Sequence, residues 1–76
     1  MMANILLACA LTVGDEILTH VDDSDPIRRR AIVLRTSPAP NNKVSVGLSA
    51  LVGGEWKDFG IKLRSDYPTI IWNSIE

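Results

Sequence analysis

Residues 43 to 64 read as one β-hairpin whose register follows from its turn. Gly53-Gly54 suits a two-residue connection that needs positive φ at both central positions. Pairing across it sets Val44 against Leu63, Val46 against Ile61 and Leu48 against Phe59. The other face then pairs Ser45 with Lys62, Gly47 with Gly60, Ser49 with Asp58 and Leu51 with Trp56. One face is apolar throughout, and the other is mostly small or charged. A slip by one residue would turn every side chain to the wrong face, so the match is a strong constraint. It makes the chain β-rich.

Further short extended segments flank this hairpin. Residues 16 to 21 alternate, with Ile17, Thr19 and Val21 on one side and Glu16, Leu18 and His20 on the other. Asp22 to Pro26 reads as a turn, because aspartate and serine bond locally to backbone amides and proline presets φ. Arg29 to Thr36 reads as a strand with an apolar centre, Ala31 to Leu34, buried on both faces. Ser37 to Asn42 is expected to be a loop, since Pro38 and Pro40 discourage ladder pairing. Ser65 to Pro68 is a second loop. Thr69 to Ile75 is a last strand, with Ile70 and Trp72 on one face and Ile71 and Ile75 on the other.

Residues 3 to 13 carry two patterns. As a strand they place Ile5, Leu7, Cys9, Leu11 and Val13 on one face, and Leu6, Ala8 and Ala10 on the other. As a helix they gather Ile5, Leu6, Cys9, Thr12 and Val13, with Gly14 as a stop. The strand is preferred. The expected fold is therefore all-β, a small antiparallel barrel of SH3-like size or a sandwich of five to six short strands. The alternative is α+β, with an N-terminal helix on a four-stranded antiparallel sheet.

The chain has 76 residues, enough for one domain with little surplus stability. Cys9 is the only cysteine, so no internal disulfide forms, and its apolar neighbours suggest a thiol packed in the core. No run approaches the roughly 20 apolar residues of a membrane-spanning helix. Leu6 to Cys9 has the outline of a lipoprotein cleavage box, but the segment before it is short and lacks basic residues. The expectation is a soluble protein, cytoplasmic or part of a viral particle, and not secreted by a signal peptide.

Chemistry-bearing clusters are sparse. His20, Asp22, Asp23 and Asp25 lack the glycine and later glutamate of a calcium loop, and zinc prefers more histidine or cysteine. No metal, cofactor or catalytic residue is assigned, and the chain is read as a non-enzyme. Net charge is −1, giving no global pull toward nucleic acid or membrane. The charges are nevertheless segregated, with acids from Asp15 to Asp25 followed by Arg28, Arg29, Arg30 and Arg35.

The clearest surface signal is apolar. Leu51 and Trp56 sit side by side on the otherwise polar hairpin face, the composition of an interface hot spot. Gly47 opposite Gly60 leaves the middle of that face bare. Leu51, Trp56, Trp72, Arg28 and Arg30 are the candidate interface residues. The expected function is a protein–protein interaction or assembly module, working as a homo-oligomer or as a small subunit of a larger particle. A compact viral or phage structural protein and a small inhibitor of a host protein both fit. The alternative is a small nucleic-acid-binding barrel using Arg28, Arg29, Arg30 and Arg35.

Overall fold

The computed structural model describes residues 4–72. Six strands form one antiparallel sheet: β1 (Asn4–Leu7), β2 (Glu16–Thr19), β3 (Arg29–Ala39), β4 (Lys43–Val52), β5 (Glu55–Arg64) and β6 (Pro68–Ile71). Their spatial order is β1-β6-β2-β3-β4-β5. The all-β expectation holds. The sheet curls but does not close into a barrel, because β1 and β5 stand at opposite ends of that order.

The central hairpin has the register derived from its turn, including Leu48 against Phe59, Gly47 against Gly60 and Leu51 against Trp56. Gly53 and Gly54 both have positive φ, at 61° and 82°. Its apolar face supplies Val44, Val46, Leu48 and Ala50 to the core, where Ala31 and Val33 of β3 and Ile17 of β2 join them. Burying these side chains is the main stabilising term, at about 25 cal/mol per Å² of apolar area.

β3 departs from its sequence reading at two places. Leu34 is an extra residue at a bulge between the Val33–Leu48 and Arg35–Gly47 pairs, and it is exposed rather than buried. The bulge marks a corner. Before it β3 runs between β2 and β4, and the last bonds on the β2 side join Val33 to Gly14 and Asp15 at 2.9 Å each. After it, β4 is the one strand beside β3 among the described residues. That explains the second departure. Ser37, Pro38 and Ala39 are strand and not loop, with Pro38 opposite Val44. On a strand with one neighbour, a missing N–H facing the open side costs no ladder bond. The connection shrinks to Pro40, Asn41 and Asn42, and both asparagines adopt left-handed backbone.

The N-terminal segment is neither a continuous strand nor an α-helix. β1 stops at Leu7, paired with Pro68, and a 3-10 turn (Ala8–Ala10) follows. Proline has no N–H to extend the ladder. The chain instead bends across the sheet onto β4 and β5, and is held by Ala8 N–H to Tyr67 O at 2.9 Å and Cys9 N–H to Ser65 O at 3.0 Å. Ala8 and Leu11 enter the core, while Ile5, Leu7, Cys9 and Val13 are exposed. Cys9 is thus a surface thiol and not a core residue. Its backbone is pinned, but its side chain borders a shallow groove beside Pro38, Val44 and Ser65. We expect it to react with a thiol reagent in native buffer at a rate within about threefold of that in denaturant, measured by absorbance. Strong protection would place it back in the core.

β6 pairs with both β1 and β2, which ties both ends of the described chain into the sheet. Ile71 is buried and Ile70 and Trp72 face the other way. Ile75 lies outside the described residues.

Candidate functional site

The sheet has an inner face that holds the core and an outer face that does not. Strand alternation decides which residues the outer face receives. Because Ala31 and Val33 point inward, Arg30 and Ile32 point outward. Because Ala50 and Leu48 are buried, Leu51 and Trp56 are outward. Because Ile71 is buried, Trp72 is outward as well.

The strand order then brings three of these together. The Arg30 guanidinium carbon lies 5.4 Å from the centroid of the Trp72 ring and 5.8 Å from that of Trp56. Arg30 also donates to Glu16 Oε1 at 2.7 Å. Its Nε is buried and has no hydrogen-bond partner among the described residues. A cation against an indole contributes about 0.5–1 kcal/mol at an exposed site. The half-exposed Glu16 pair adds about 0–1 kcal/mol. Arg30 is therefore a positioned side chain, held by an acid on β2, one indole from β5 and another beyond β6.

A row of side chains crosses the face at this level. Ile5 pairs with Ile70, Ile70 with Leu18, Leu18 with Arg30, and, toward the other edge, Leu51 with Trp56. Trp56 and Ile5, at the two ends of the row, are 46% and 53% exposed. The row thus has apolar ends and a charged centre.

The bulge at Leu34 turns Arg35 onto this same face. Its side chain lies across Gly47, where an added Cβ would come within 2.8 Å of Arg35 Cγ. The bare strip expected over Gly47 and Gly60 is therefore half filled. Gly60 stays open, with nothing within 4 Å of a Cβ built there. Leu51, Trp56, Trp72 and Arg30 share the outer face, whereas Arg28 precedes β3 and is exposed outside the tryptophan pair. The four arginines do not form one row. Arg29 reaches Asp25 at 2.9 Å, Arg30 is bound to Glu16, and Arg35 covers Gly47.

The acidic segment is a turn. Asp22 Oδ1 accepts from Ser24 N–H at 2.7 Å, Ser24 Oγ at 2.6 Å and Asp25 N–H at 3.0 Å. The Ser24 hydroxyl is the largest influence holding the Asp22 carboxyl below its usual range. The Arg29 hydrogen bond does the same for Asp25. His20 Nδ1 lies 3.0 Å from Asp25 O. Among the described residues no three His, Cys, Asp or Glu side chains are grouped to hold a metal ion.

Both aspartates are more acidic folded than unfolded. Their stabilisation is complete above the ordinary aspartate value of about 3.9 and is lost as pH falls through the lower folded values. The unfolding midpoint should therefore drop as pH falls from about 5 through these lowered values. Asp22→Asn with Asp25→Asn should flatten that drop. An unchanged slope in the double variant would assign the acid sensitivity elsewhere.

Between this turn and β5 runs a groove of about 600 Å³, lined by His20, Asp22 and Asp23 on one side and by Ile61, Leu63 and Tyr67 on the other. Cys9 and His20 border different grooves, so the structure does not assemble a thiol–imidazole pair.

These features define a small all-β domain with an aromatic-flanked arginine on one sheet face. Compared with known proteins, the chain matches no family model, no curated protein and no solved structure. No helix among the described residues is long and apolar enough to cross a membrane.

Sequence reasoning reached Leu51, Trp56, Trp72 and Arg30 separately. It missed that Arg30 lies between the two tryptophans, and it missed Glu16. Parity within β3 was the available signal. Strand order was not available, because β6 enters between β1 and β2.

Proposed function

We propose that this chain is a non-enzymatic protein–protein interaction or assembly module that docks through the outer face around Arg30. The observation that carries this reading is Arg30 held between Trp56 and Trp72 on a surface with exposed apolar ends. Tryptophan and arginine dominate the residues that carry binding energy, and they work best when a partner excludes water from around them. The working form is a homo-oligomer or a small subunit of a larger particle. A viral or phage structural subunit and a small inhibitor of a host protein are the two settings that fit.

The nucleic-acid reading is weaker. A phosphate path needs cations that converge, and Arg29 and Arg30 are each already bound to a carboxylate on opposite faces of the sheet.

The test is the solution mass by light scattering across concentration, for wild type, Trp56→Ala and Trp72→Ala. For the homo-oligomer form, wild type should exceed the 8.3 kDa of one chain. Both variants should move toward that mass while keeping wild-type circular dichroism. Association untouched by either substitution would overturn docking through this face. Copurified nucleic acid lost on substituting Arg30 would favour the alternative.

A further inference from the structure

The sheet ends at β5, whose outer edge has no strand beside it among the described residues. Ten residues, Glu55–Arg64, make this a long edge. Exposed edges are templates for pairing, and proteins usually shorten, bulge, cover or charge them. β5 has an unbroken register with β4 along its whole length. Its charged residues therefore become the guide to what it meets.

We propose that β5 pairs antiparallel with β5 of a second copy, about a twofold axis through Gly60. This deepens the assembly reading above and rests on it.

The register is derived by elimination. Residues paired in an antiparallel ladder must point to the same face, so the axis passes through a residue and not between two. An axis through Asp58 sets that carboxylate against itself, and one through Lys62 sets ammonium against ammonium. An axis through Phe59 matches Trp56 with Lys62 alone. One through Ile61 matches Asp58 with Arg64 and Phe59 with Leu63, but sets Lys62 against Gly60 and carries Trp56 past the end of the strand. The axis through Gly60 matches Asp58 with Lys62 and Trp56 with Arg64, and symmetry repeats each pair. On the inner face it sets Phe59 against Ile61, again in duplicate. Opposite charges, aromatic–aliphatic contacts and cations on indoles are the favourable cross-strand pairs.

Three observations in the chain favour this arrangement. Asp58 and Lys62 take part in none of the described ion pairs, although Lys62 shares a groove with Asp22, Asp23 and Asp25. Arg64 is bound to Asp66 at 3.1 Å, with both side chains mostly exposed, a contact cheap to exchange for an indole. At the axis stands Gly60, where a Cβ would meet nothing within 4 Å, so two backbones can meet there unobstructed.

The groove supplies an independent fit. Lys57 lies opposite Ala50 and so belongs to the inner face, where it is exposed in the single chain. In the proposed register the second copy's strand sets this lysine opposite Leu63. Leu63 lines the groove whose far wall carries Asp22 and Asp23. The lysine therefore enters a groove that carries Asp22, Asp23 and Asp25 against one lysine, Lys62, and Phe59 and Ile61, both half-buried in one chain, are covered. Charge complementarity thus holds on both faces of the same strand in one register.

The experiment is sedimentation equilibrium on wild type, Asp58→Lys, Lys62→Asp and the double reversal, with amide hydrogen exchange along β5. Each single reversal should raise the dimer dissociation constant by about tenfold or more, because each dimer holds the contact twice. The double reversal, which has wild-type composition, should return to within about threefold of wild type. Alternate β5 amides should slow as wild-type concentration rises. A wild-type chain that stays monomeric at millimolar concentration with fast β5 exchange overturns the proposal. So does a dimer indifferent to both reversals. If that dimer is still lost with Trp72→Ala, the outer-face reading stands and the β5 contact falls. Rescue by the double reversal with Trp72→Ala silent has the opposite meaning. Wild-type exchange decides the matter if a single reversal fails to fold.

Discussion

Replacing Leu48 with alanine should lower the free energy of unfolding by about 3 kcal/mol, within the ~2–5 kcal/mol range of buried Leu→Ala changes. Leu48 is fully buried at the middle of β4. Val33 faces it from β3 and Phe59 from β5. Hydrogen-bonded ladders on both sides hold the backbone, so the space left behind cannot collapse. Proteins of this size are stable by only about 0.05–0.15 kcal/mol per residue. A loss of that size takes much of the total, and urea denaturation would show it as an earlier midpoint at similar slope. Leu34→Ala is the control. Leu34 is equally apolar but sits on the bulge at 45% exposure, and should cost less than about 1 kcal/mol. Equal losses at the two positions would mean that β3 is not bulged where the structure places it.

Trp56→Ala should weaken association by about 30-fold or more, the scale of an interface hot spot of about 2 kcal/mol. The same change should alter the stability of the single chain by less than about 1 kcal/mol, since the indole is nearly half exposed and rests on an arginine tip. The separation of the two numbers is the point. A residue that matters to the fold lowers both together; a docking residue lowers one. Solution mass against concentration gives the first, and urea denaturation of the dilute chain gives the second. Equal loss of fold and association would identify Trp56 as a structural cover for β3.

Much of the fold could be read in advance where the pattern was two-sided. The hairpin from Lys43 to Arg64 constrained itself, because a Gly-Gly turn fixes where the arms meet and the alternation in one arm checks the other. β2 was legible in part, from the alternation of Ile17 and Thr19, but the strand ends at Thr19 and Val21 is buried beyond it. Readings failed where a segment's environment depended on a distant partner. Residues 5 to 11 are apolar at every position, so period alone could not tell which of them were inward, and the end of β1 was set by Pro68, 61 residues from Leu7, in a ladder not visible locally. Cys9 followed its neighbours into a predicted core, whereas the turn after Leu7 faces it outward. Pro38 looked like a strand breaker until the bulge left β3 with one neighbour.

From its amino acids alone this chain is an antiparallel β protein with a derivable central hairpin, a polar acidic turn and a tryptophan on the less apolar face. Those properties come from local alternation and turn chemistry, which act over a few residues. The tertiary structure alone decided that β6 inserts between β1 and β2, that the sheet stays open at β5, and that Arg30 is held by Trp56, Trp72 and Glu16. Each of those depends on which strands become neighbours. Neighbour choice is settled by how the whole set of apolar faces closes over one core, a sum that no single segment carries.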